Sequence, residues 1–457
     1  MTDTNSQSKQ KVSGWGRNSH RACNVNAGPG SDLRASILND QAIDSRGTCI
    51  RGEGRGYGDC ATNGGGVLWR LEENFIEIDE KTGVARCGGG ARLSDLYKAG
   101  ALQHLVPPVV PGTKEVSIGG MLASDIHGKN HHVSGSIANH VQRIKLLDGM
   151  GEILVLDRTD ERFWATMGGM GLTGAILEAD ILMERIQSPF IKTKTRRAGN
   201  FQDLAEQMNE ADNDTFSVAW VDLSNKLGRG VVSSGNWEDF DTPWPKELFK
   251  KTRRVPNLNV NFINQATVRT FNEAWWQKAR LDEKSERSSI AGFFHPLDGV
   301  GEWNVLYGKK GFFQYQFVVG DGNFDVLNQI VFDMIKKKLG SPMVVLKRFG
   351  EGNSGHLSFP MRGWTLAVDF HAGAEKIIDT IWNYDDKITE CGGRVYLAKD
   401  SCLRPENLRE MYPNLEKWRS IREELDPFNS YQSDLSRRIG LCGDNPKKNY
   451  ENNREIS

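Results

Sequence analysis

Residues 51–59 read Arg51-Gly52-Glu53-Gly54-Arg55-Gly56-Tyr57-Gly58-Asp59, which places a glycine at every second position from 52 to 58. Glycine lets the backbone approach a ligand closely and adopt conformations that are closed to other residues. Successive main-chain N–H groups can then converge on an anion, so this turn is suited to a pyrophosphate. It is not the dinucleotide-binding pattern of a Rossmann fold, because the spacing differs and no clear helix follows.

Two further glycine-rich segments follow the first. The second covers residues 111–120 and leads into a histidine-rich stretch at 127–132, and the third covers residues 168–174. A single turn of this kind can be an irregular loop, whereas three in succession favour a cradle for a planar, phosphate-bearing ligand. A metal site at His127 and His131 is disfavoured, because neither a cysteine nor a carboxylate ligand set accompanies them.

Around these turns the sequence predicts short strands and helices in alternation, which favours an α+β or α/β fold. The predicted elements are a hairpin of Ile144–Leu147 and Glu152–Leu156, strands at Ala175–Leu182, Phe312–Val319 and Gly363–Phe370, a helix that begins near Leu93, and a helix around Trp418–Leu425. Alternation in the strand from Phe312 places Gln314 and Gln316 on one face. These glutamines either hydrogen-bond a polyol or form an exposed polar face, and the pattern alone favours neither.

Composition bounds the class of protein. A length of 457 residues suggests two or three domains, and 58 Lys and Arg against 59 Asp and Glu disfavour a nucleic-acid binder. The basic pairs Lys250-Lys251 and Arg253-Arg254 are then a solvated loop.

Seven cysteines without a CxxC pair predict neither a zinc site nor a disulfide framework, and favour a reducing compartment. No signal peptide or membrane span is predicted, so we expect a cytoplasmic protein, with peripheral membrane association left open.

Longer motifs then identify a resemblance. They are GRGYGD, NGGG, PGT, VSIGGMLASDIHGKNHH, GSIANHV, FWATMGGMGLTGAI, FFHPLDGVGEWN, GFFQYQFV, LSFP, GGRVYLAKDS and DPFNSYQSDLSRRI, in this order between Gly14 and Ile439. In these motifs the chain resembles the decaprenylphosphoryl-β-D-ribose 2-oxidase family, within the vanillyl-alcohol oxidase / p-cresol methylhydroxylase (PCMH) superfamily.

The resemblance implies an α+β fold, with a two-subdomain PCMH-type FAD-binding domain and a cap (substrate) domain built on an antiparallel sheet. The expected boundaries are a disordered leader at 1–12, the FAD-binding domain at 13–184, the cap at 185–393, a C-terminal return to the FAD-binding domain at 394–441, and a polar tail at 442–457.

The resemblance also assigns residues to FAD. The matching positions are Gly52, Gly54, Arg55, Gly56, Tyr57, Gly58, Gly112, Thr113, Gly119, Asp125, Gly128, Asn130, His131, Ile176 and Tyr396. Related aldonolactone and alditol oxidases attach the flavin covalently through a histidine in the first loop. Arg55 stands at the corresponding place, so we expect FAD to be bound non-covalently.

For catalysis the resemblance points to Lys399, as the base or as the group that holds a developing alkoxide, with His127 as the alternative base. The matching substrate-binding positions are Lys129, Gln314, Gln316, Lys347, Phe349, Thr365 and Phe294. Without the resemblance, Lys399 would be read as a surface lysine at a strand end. Two positions depart from the family: Ala367 replaces a pocket cysteine that nitro-aromatic inhibitors attack, and Phe294 replaces a tyrosine. Both departures bear on the substrate more than on the reaction.

The resulting hypothesis is an FAD-dependent oxidoreductase that oxidises the 2-hydroxyl of a polyprenyl-phosphoryl pentose, most simply ribose, to a 2-keto intermediate. A short-chain reductase partner would complete epimerisation to arabinose for cell-wall polysaccharide biosynthesis. The alternative is an oxidase of a free sugar, alditol or aldonolactone. A flavin-free binding protein of the same fold is disfavoured, since it would have no need for so many glycine positions.

Overall fold

The computed structural model describes residues 9–39, 46–240, 242–245, 248, 255–256, 261–279, 284–374 and 376–442. Residues 1–8 of the expected leader, residues 443–457 of the expected tail, and the basic pairs Lys250-Lys251 and Arg253-Arg254 lie outside these ranges.

Strands occur along the whole described part of the chain. In chain order they are β1 (Gln10–Ser13), β2 (His20–Gly28), β3 (Thr48–Ile50), β4 (Val67–Leu71), β5 (Ile76–Asp79), β6 (Val84–Gly88), β7 (Leu105–Val106), β8 (Val141–Leu147), β9 (Ile153–Asp157), β10 (Ala175–Leu182), β11 (Glu184–Arg185), β12 (Phe190–Ala198), β13 (Phe216–Val221), β14 (Gly230–Trp237), β15 (Lys284–Ser289), β16 (Phe312–Gly320), β17 (Val344–Phe349), β18 (Gly363–His371) and β19 (Arg394–Val395).

Helices alternate with these strands. They are α1 (Gly30–Leu38), α2 (Leu93–Ala101), α3 (Ile118–Ala123), α4 (His131–Ser134), α5 (Glu161–Thr166), α6 (Phe201–Ala211), α7 (Gln265–Lys278), α8 (Ile290–Phe294), α9 (Phe324–Lys336), α10 (Ile377–Glu390), α11 (Pro405–Met411), α12 (Leu415–Leu425) and α13 (Asp434–Arg438). Short 3₁₀ turns lie at Ile137–His140, Pro296–Gly299, Trp303–Leu306 and Asp321–Asn323.

The elements predicted from periodicity are confirmed. Strands β8 and β9 form the expected hairpin, whose turn is held because the Asp148 carboxylate accepts from the N–H groups of Met150 and Glu152 at 2.9 and 2.8 Å. Strand β10 has the predicted bounds, and β16 and β18 each extend the predicted run by one residue. Helix α2 begins at Leu93, and α12 ends just before Asp426-Pro427.

Two larger sheets, with a two-stranded sheet of β7 and β11, make up the described N-terminal part. In one, of order β1-β2-β4-β3, the strands β2, β4 and β3 run parallel. The other, of order β5-β6-β10-β8-β9, is antiparallel. Two separate sheets with intervening helices agree with the predicted α+β, two-subdomain FAD-binding fold.

The middle of the chain forms the predicted antiparallel cap sheet. Its order is β15-β12-β14-β13-β17-β18-β16-β19. Helices α6 and α9 pack on one face, where Phe201 and Phe324 stack with their ring centroids 5.8 Å apart. The opposite face is left for the site described below.

The C-terminal part returns to the first sheet. Thr48 exchanges main-chain hydrogen bonds with Ser430 (2.7 Å) and Gln432 (2.9 Å), and the Tyr431 hydroxyl donates to Leu147 O at 3.0 Å. These contacts are in keeping with the expected return at 394–441, while the exact domain boundaries remain predictions.

The expected leader is wrong at its last residues. Gln10–Ser13 is strand β1, whose Gln10 pairs with Cys23 and whose Val12 pairs with Arg21 of β2. Val12 also packs against the small core of Cys23, Cys49 and Leu68. A polar segment can order when a neighbouring strand offers a free edge of N–H and C=O groups, which composition does not reveal.

Candidate active site

A cavity of about 1180 Å³ lies between the glycine-rich loops and the free face of the cap sheet. The first and second loops form one wall. Side chains of β13, β16, β17 and β18 form the other, and the segment from Tyr396 to Lys399 closes one end. Three distant parts of the chain therefore meet at one place.

The first loop presents main-chain donors to this cavity. Main-chain hydrogen bonds fix both ends of the loop: Arg51 N–H donates to Trp69 O (2.8 Å), and Tyr57 N–H donates to Ala398 O (3.1 Å). Between them, the N–H groups of residues 52–56 donate to no acceptor within the described part of the chain. Gly54 has φ of 64°, and a Cβ there would lie 2.3 Å from Arg51 Nη2. Consecutive N–H groups without acceptors form an anion-binding concavity.

The second loop is fixed by close packing against the turn after β6. Gly119 N–H donates to Gly89 O at 2.8 Å, and a Cβ on Gly119 would come within 3.1 Å of that oxygen. The Ser117 hydroxyl caps α3 by accepting from Gly120 N–H at 3.2 Å. Lys114 N–H donates to Asp298 Oδ2 at 2.8 Å, which ties the loop to the cap.

These loops fit FAD. The unpaired N–H groups match the oxygens of a diphosphate, and the close glycine packing keeps side chains out of the space. Beyond the loops the wall is apolar and aromatic, with Ile176, Met121 and Tyr396 lining the cavity, as a planar ring system requires. The chain therefore carries a cradle for a dinucleotide with a flat aromatic group.

The cap wall is polar and ordered by strand register. Gln314 pairs with Asp369, Gln316 with Ala367, and Lys347 with Thr365, so all six residues share one face of the sheet. Gln314 and Gln316 are only 7% and 1% exposed, which rules out the exposed polar face as an interpretation.

Both glutamine amides are held through their nitrogens. Gln314 Nε2 donates to Asp369 Oδ1 at 2.7 Å, and Gln316 Nε2 donates to Thr365 Oγ1 at 3.0 Å. Neither amide oxygen has a partner among the described residues, although both are buried. Buried acceptors without a partner are costly, so both are suited to accept from ligand hydroxyl groups.

Three lysines line the same cavity without forming ion pairs in the described part of the chain. Burial lowers the pKa of Lys129 to about 8 and that of Lys399 to about 8, while Asp369 acts on Lys399 in the opposite direction. Burial, with the charges of Lys399 and Lys129, lowers the pKa of Lys347 well below its ordinary value. Such a cluster favours an anionic ligand.

His127, from the segment after α3, contacts the cap wall and already has partners at both ring nitrogens. Nε2 lies 3.1 Å from Gln316 Nε2, and Nδ1 lies 3.1 Å from Lys347 Nζ. Burial, followed by the charge of Lys347, lowers its pKa well below the ordinary value, so the ring is neutral. A direct role for His127 as the base would require it to give up one of these contacts.

Most of the residues predicted from sequence do line the cavity. They are Lys399, His127, Lys129, Gln314, Gln316, Lys347, Phe294, Gly52, Gly54, Arg55, Gly56, Tyr57, Gly112, Thr113, Gly119, Gly128, Ile176 and Tyr396. Ala367, which replaces the family's cysteine, also lines it.

Asp125 was predicted to contact FAD but lies behind the wall. Its carboxylate accepts from Ser136 Oγ (2.9 Å), Asn353 Nδ2 (2.7 Å), Ser358 Oγ (2.5 Å) and the N–H of Ala138 (3.1 Å). All of these are protein groups, so Asp125 ties the segment after α3 to residues 136–138 and 353–358 instead of reaching the cavity.

Five other predicted contact residues also stand outside the cavity lining. They are Gly58, Asn130, His131, Phe349 and Thr365. Gly58 packs on Asp400 O, Asn130 Nδ2 donates to Pro108 O (2.8 Å), and the rings of His131 and Phe349 lie 4.4 Å apart behind His127. We assign them supporting roles in place of direct contact.

Some lining and supporting residues were not predicted. Trp15 stacks under the Arg55 guanidinium at 4.0 Å, and Trp303 meets Trp15 edge-on at 6.0 Å. Asp369 is buried, accepts from Tyr307 at 3.0 Å, and has a pKa raised by burial to about 7. Only Asp369 had a sequence signal, because it is a charged residue of the same parity as Thr365 and Ala367 in an otherwise apolar strand.

The described residues also bear on metal binding, membrane spans and disulfides. No group of three or more His, Cys, Asp or Glu side chains there is arranged to hold a metal ion. None of the described helices is long and apolar enough to cross a bilayer. All seven cysteines are free thiols.

Comparison with known proteins agrees with this site. A family model described as FAD binding domain matches residues 37–157, and one described as D-arabinono-1,4-lactone oxidase matches residues 371–439. Decaprenylphosphoryl-β-D-ribose oxidase of Mycolicibacterium smegmatis is 35% identical over 94% of this chain and 98% of its own length. L-gulono-1,4-lactone dehydrogenase of Mycobacterium tuberculosis is 22% identical over 90% of this chain and 94% of its own length. Alditol oxidase of a Streptomyces species is 26% identical over 30% of this chain and 34% of its own length.

The glycine cradle, the cap sheet and the FAD-domain match define an FAD-dependent oxidoreductase acting on a CH–OH group. The extent of the match to the mycobacterial oxidase, over nearly the full length of both proteins, narrows the class further. The chain belongs to the decaprenylphosphoryl-β-D-ribose oxidase family.

Proposed function

We propose that this enzyme oxidises the 2-hydroxyl of a polyprenyl-phosphoryl pentose, ribose in the first instance, to a 2-keto sugar. The observation that carries the proposal is the convergence of Lys129, Lys347 and Lys399 on one cavity without ion pairs in the described part of the chain. A phosphate diester would supply the missing negative charge, and the free amide oxygens of Gln314 and Gln316 would accept from sugar hydroxyls.

When bound, FAD supplies a hydride acceptor. The residues of this chain bind and orient the sugar and manage its hydroxyl proton. Lys399 lies over the Tyr57 ring at 5.5 Å, with Asp369 favouring its cationic form, and it is suited to stabilise negative charge on the reacting oxygen. The aromatic residues Phe294 and Tyr396 add apolar surface to the lining of the cavity.

We propose that FAD is held non-covalently. Arg55 stands where a covalent histidine would be expected, its Nε donates to Glu115 O at 3.1 Å, and its guanidinium stacks on Trp15. A guanidinium stays protonated and offers no nucleophile for attachment to a flavin.

We further propose that the enzyme works at a lipid surface on the cytoplasmic side. Helix α7 exposes Phe271 and Trp275, which stack at 6.4 Å, and Lys278 lies 5.5 Å over the Trp275 ring. We name these three residues the aromatic face of α7. Aromatic rings beside a cation are typical of helices that lie in a membrane interface, where a polyprenyl tail would hold the substrate. The 2-keto product would require a reductase partner to complete epimerisation.

A second candidate is oxidation of a free sugar, alditol or aldonolactone. The lactone oxidase model at residues 371–439 and the lactone and alditol relatives favour it. The lysine cluster weighs against it, because a neutral polyol leaves Lys129 and Lys399 without a counter-charge.

Anaerobic mixing separates the two candidates. The holoenzyme is mixed with polyprenyl-phosphoryl ribose, polyprenyl-phosphoryl arabinose, ribitol and an aldonolactone, and the visible flavin absorbance is followed. We expect bleaching with the ribose lipid at far lower concentration than with any soluble polyol. Bleaching by a soluble polyol or lactone alone would overturn the proposal in favour of the second candidate.

A further inference from the structure

Four side chains at the cap wall form one continuous hydrogen-bonded chain, which we name the Thr365–Lys347 chain. Thr365 Oγ1 donates to Phe317 O at 2.8 Å, and Gln316 Nε2 lies 3.0 Å from Thr365 Oγ1. The same Gln316 nitrogen lies 3.1 Å from His127 Nε2, and His127 Nδ1 lies 3.1 Å from Lys347 Nζ. The positions of the hydrogens in this chain decide the charge of its last member.

The direction of the first bonds follows from Thr365. A hydroxyl has one hydrogen, and that of Thr365 is given to Phe317 O. Thr365 is fully buried, so water cannot accept this hydrogen in place of Phe317 O. Its oxygen can then only accept from Gln316, and the amide group that faces it must be the NH₂. This orientation leaves the Gln316 oxygen without a partner, as observed.

The direction of the remaining bonds follows from the imidazole. The second hydrogen of the Gln316 amide points to His127 Nε2, which must therefore carry a lone pair. A neutral imidazole has one N–H, so its hydrogen is on Nδ1. That hydrogen faces Lys347 Nζ, and only an uncharged amine has a lone pair to accept it.

We propose that Lys347 rests as a neutral amine and accepts the hydroxyl proton of the substrate, with Thr365, Gln316 and His127 as positioning residues. This rests on the proposed function for the identity of the reaction. Lys347 has a single lone pair, so on substrate binding it gives up its contact with the His127 N–H. The sugar O–H bond then breaks and an N–H bond forms on Lys347. The carbinol carbon loses its hydrogen with two electrons to FAD and becomes a ketone, and the ammonium of Lys347 later returns its proton to solvent.

The surroundings of Lys347 favour the same state. Lys399 and Lys129 face it across the cavity and oppose a third positive charge. His131 on α4 is a further titratable neighbour, and β13 contributes only Val218 to this part of the lining. Lys347 forms no ion pair in the described part of the chain, and its backbone sits directly opposite Thr365 in the sheet.

Ring-nitrogen NMR of the holoenzyme labelled with ¹⁵N-histidine tests the proposal without substrate. The His127 signals are identified by their loss in His127→Gln. We expect the neutral Nδ1–H tautomer in the wild type and in Thr365→Ser, which keeps the hydroxyl. In Thr365→Val the amide is free to invert, and we expect the Nε2–H tautomer. An Nε2–H tautomer in the wild type would overturn the proposal, even if neither Thr365 variant folds.

The pH dependence of kcat/KM gives a second readout. A base must be neutral, so the rate falls as pH drops through the pKa of Lys347. In Thr365→Val, Lys347 becomes a donor to His127, and we expect the acid limb to move up by about one pH unit or more. Thr365→Ser should leave the acid limb of the pH profile at the wild-type pH. An acid limb at the same pH in Thr365→Val and Thr365→Ser would contradict the proposal. If no polyprenyl-phosphoryl pentose reduces the flavin but His127 is the Nδ1–H tautomer, the proposed substrate is wrong. The inference that Lys347 rests as a neutral amine would still stand.

Discussion

Lys399 and Lys347 line the same cavity, yet their partners favour different protonation states. Lys399 has the Asp369 carboxylate as an electrostatic partner, and its pKa is lowered by burial only to about 8. Lys347 lies among two other lysines and His127, whose Nδ1 is 3.1 Å from Lys347 Nζ and which we infer to donate to it. One lysine is therefore suited to stabilise an oxyanion and the other to take up a proton. Two like groups with pKa values pushed apart are the usual arrangement for acid–base work.

Replacing Lys399 by Ala should leave FAD bound and slow flavin reduction by roughly 10²–10⁴-fold, because the reacting oxygen loses its cationic partner. Stopped-flow absorbance measures this, with exposed Lys309→Ala as the matched control. The cation is lost as pH rises through about 8, so the wild-type rate should fall there, and Lys399→Arg should move that alkaline limb upward. Full-speed reduction in Lys399→Ala would refute the role.

At this scale, sequence reasoning identified the chemical groups better than their exact contacts. Lys399, Gln314 and Gln316 line the cavity as predicted, because strand parity and motif position both carry that information. Asp125 and Thr365 were expected to touch ligand and instead hold their neighbours. A motif records that a residue is needed, and it does not record whether its side chain points into a cavity or behind its wall.

At the scale of single elements, α7 combines two faces with different surroundings. Val268 and Asn272 are buried against the cap, and Asn272 Nδ2 donates to Asp222 Oδ1 at 2.8 Å. The aromatic face of α7 lies beside them and remains exposed. Because the buried stripe anchors the helix, the exposed rings can be altered without removing its packing.

The double variant Phe271→Ser/Trp275→Ser should bind anionic phospholipid vesicles about tenfold more weakly, since two large rings no longer leave water. Vesicle co-sedimentation measures the bound fraction. Phe332→Ser, which removes an exposed ring from α9, is the matched control and should bind as the wild type does. Equal binding by both variants would remove the aromatic face from the proposal.

Elements with strong internal periodicity were predictable, and those that depend on a partner were not. Strand β10 and the β8–β9 hairpin follow from local alternation and turn chemistry. Strand β1 was missed because it is ordered by pairing with the free edge of β2, which the composition of the segment itself does not reveal. Strand β19 ends at Val395, because the chain turns at Tyr396 to bring Lys399 to the cavity.

At the scale of the whole molecule, the site is assembled from contacts between distant residues. The first loop is anchored by Ala398 O, the second by Asp298, and the C-terminal return by Thr48. The sequence predicted the glycine-rich loops as a dinucleotide cradle, whereas the cavity itself depends on how the cap sheet closes over them. Only the resemblance to a family carried that information in advance, since no local pattern encodes an interface between separate segments.

The central claim is that unpaired N–H groups of the first loop, within a glycine-packed cradle, hold FAD without a covalent bond. The most direct test is the absorbance spectrum of the purified protein before and after acid precipitation. We expect one FAD per chain, with the yellow colour released into the acid supernatant. Colourless protein that stays colourless after incubation with excess FAD, or a yellow pellet after acid, would contradict the claim.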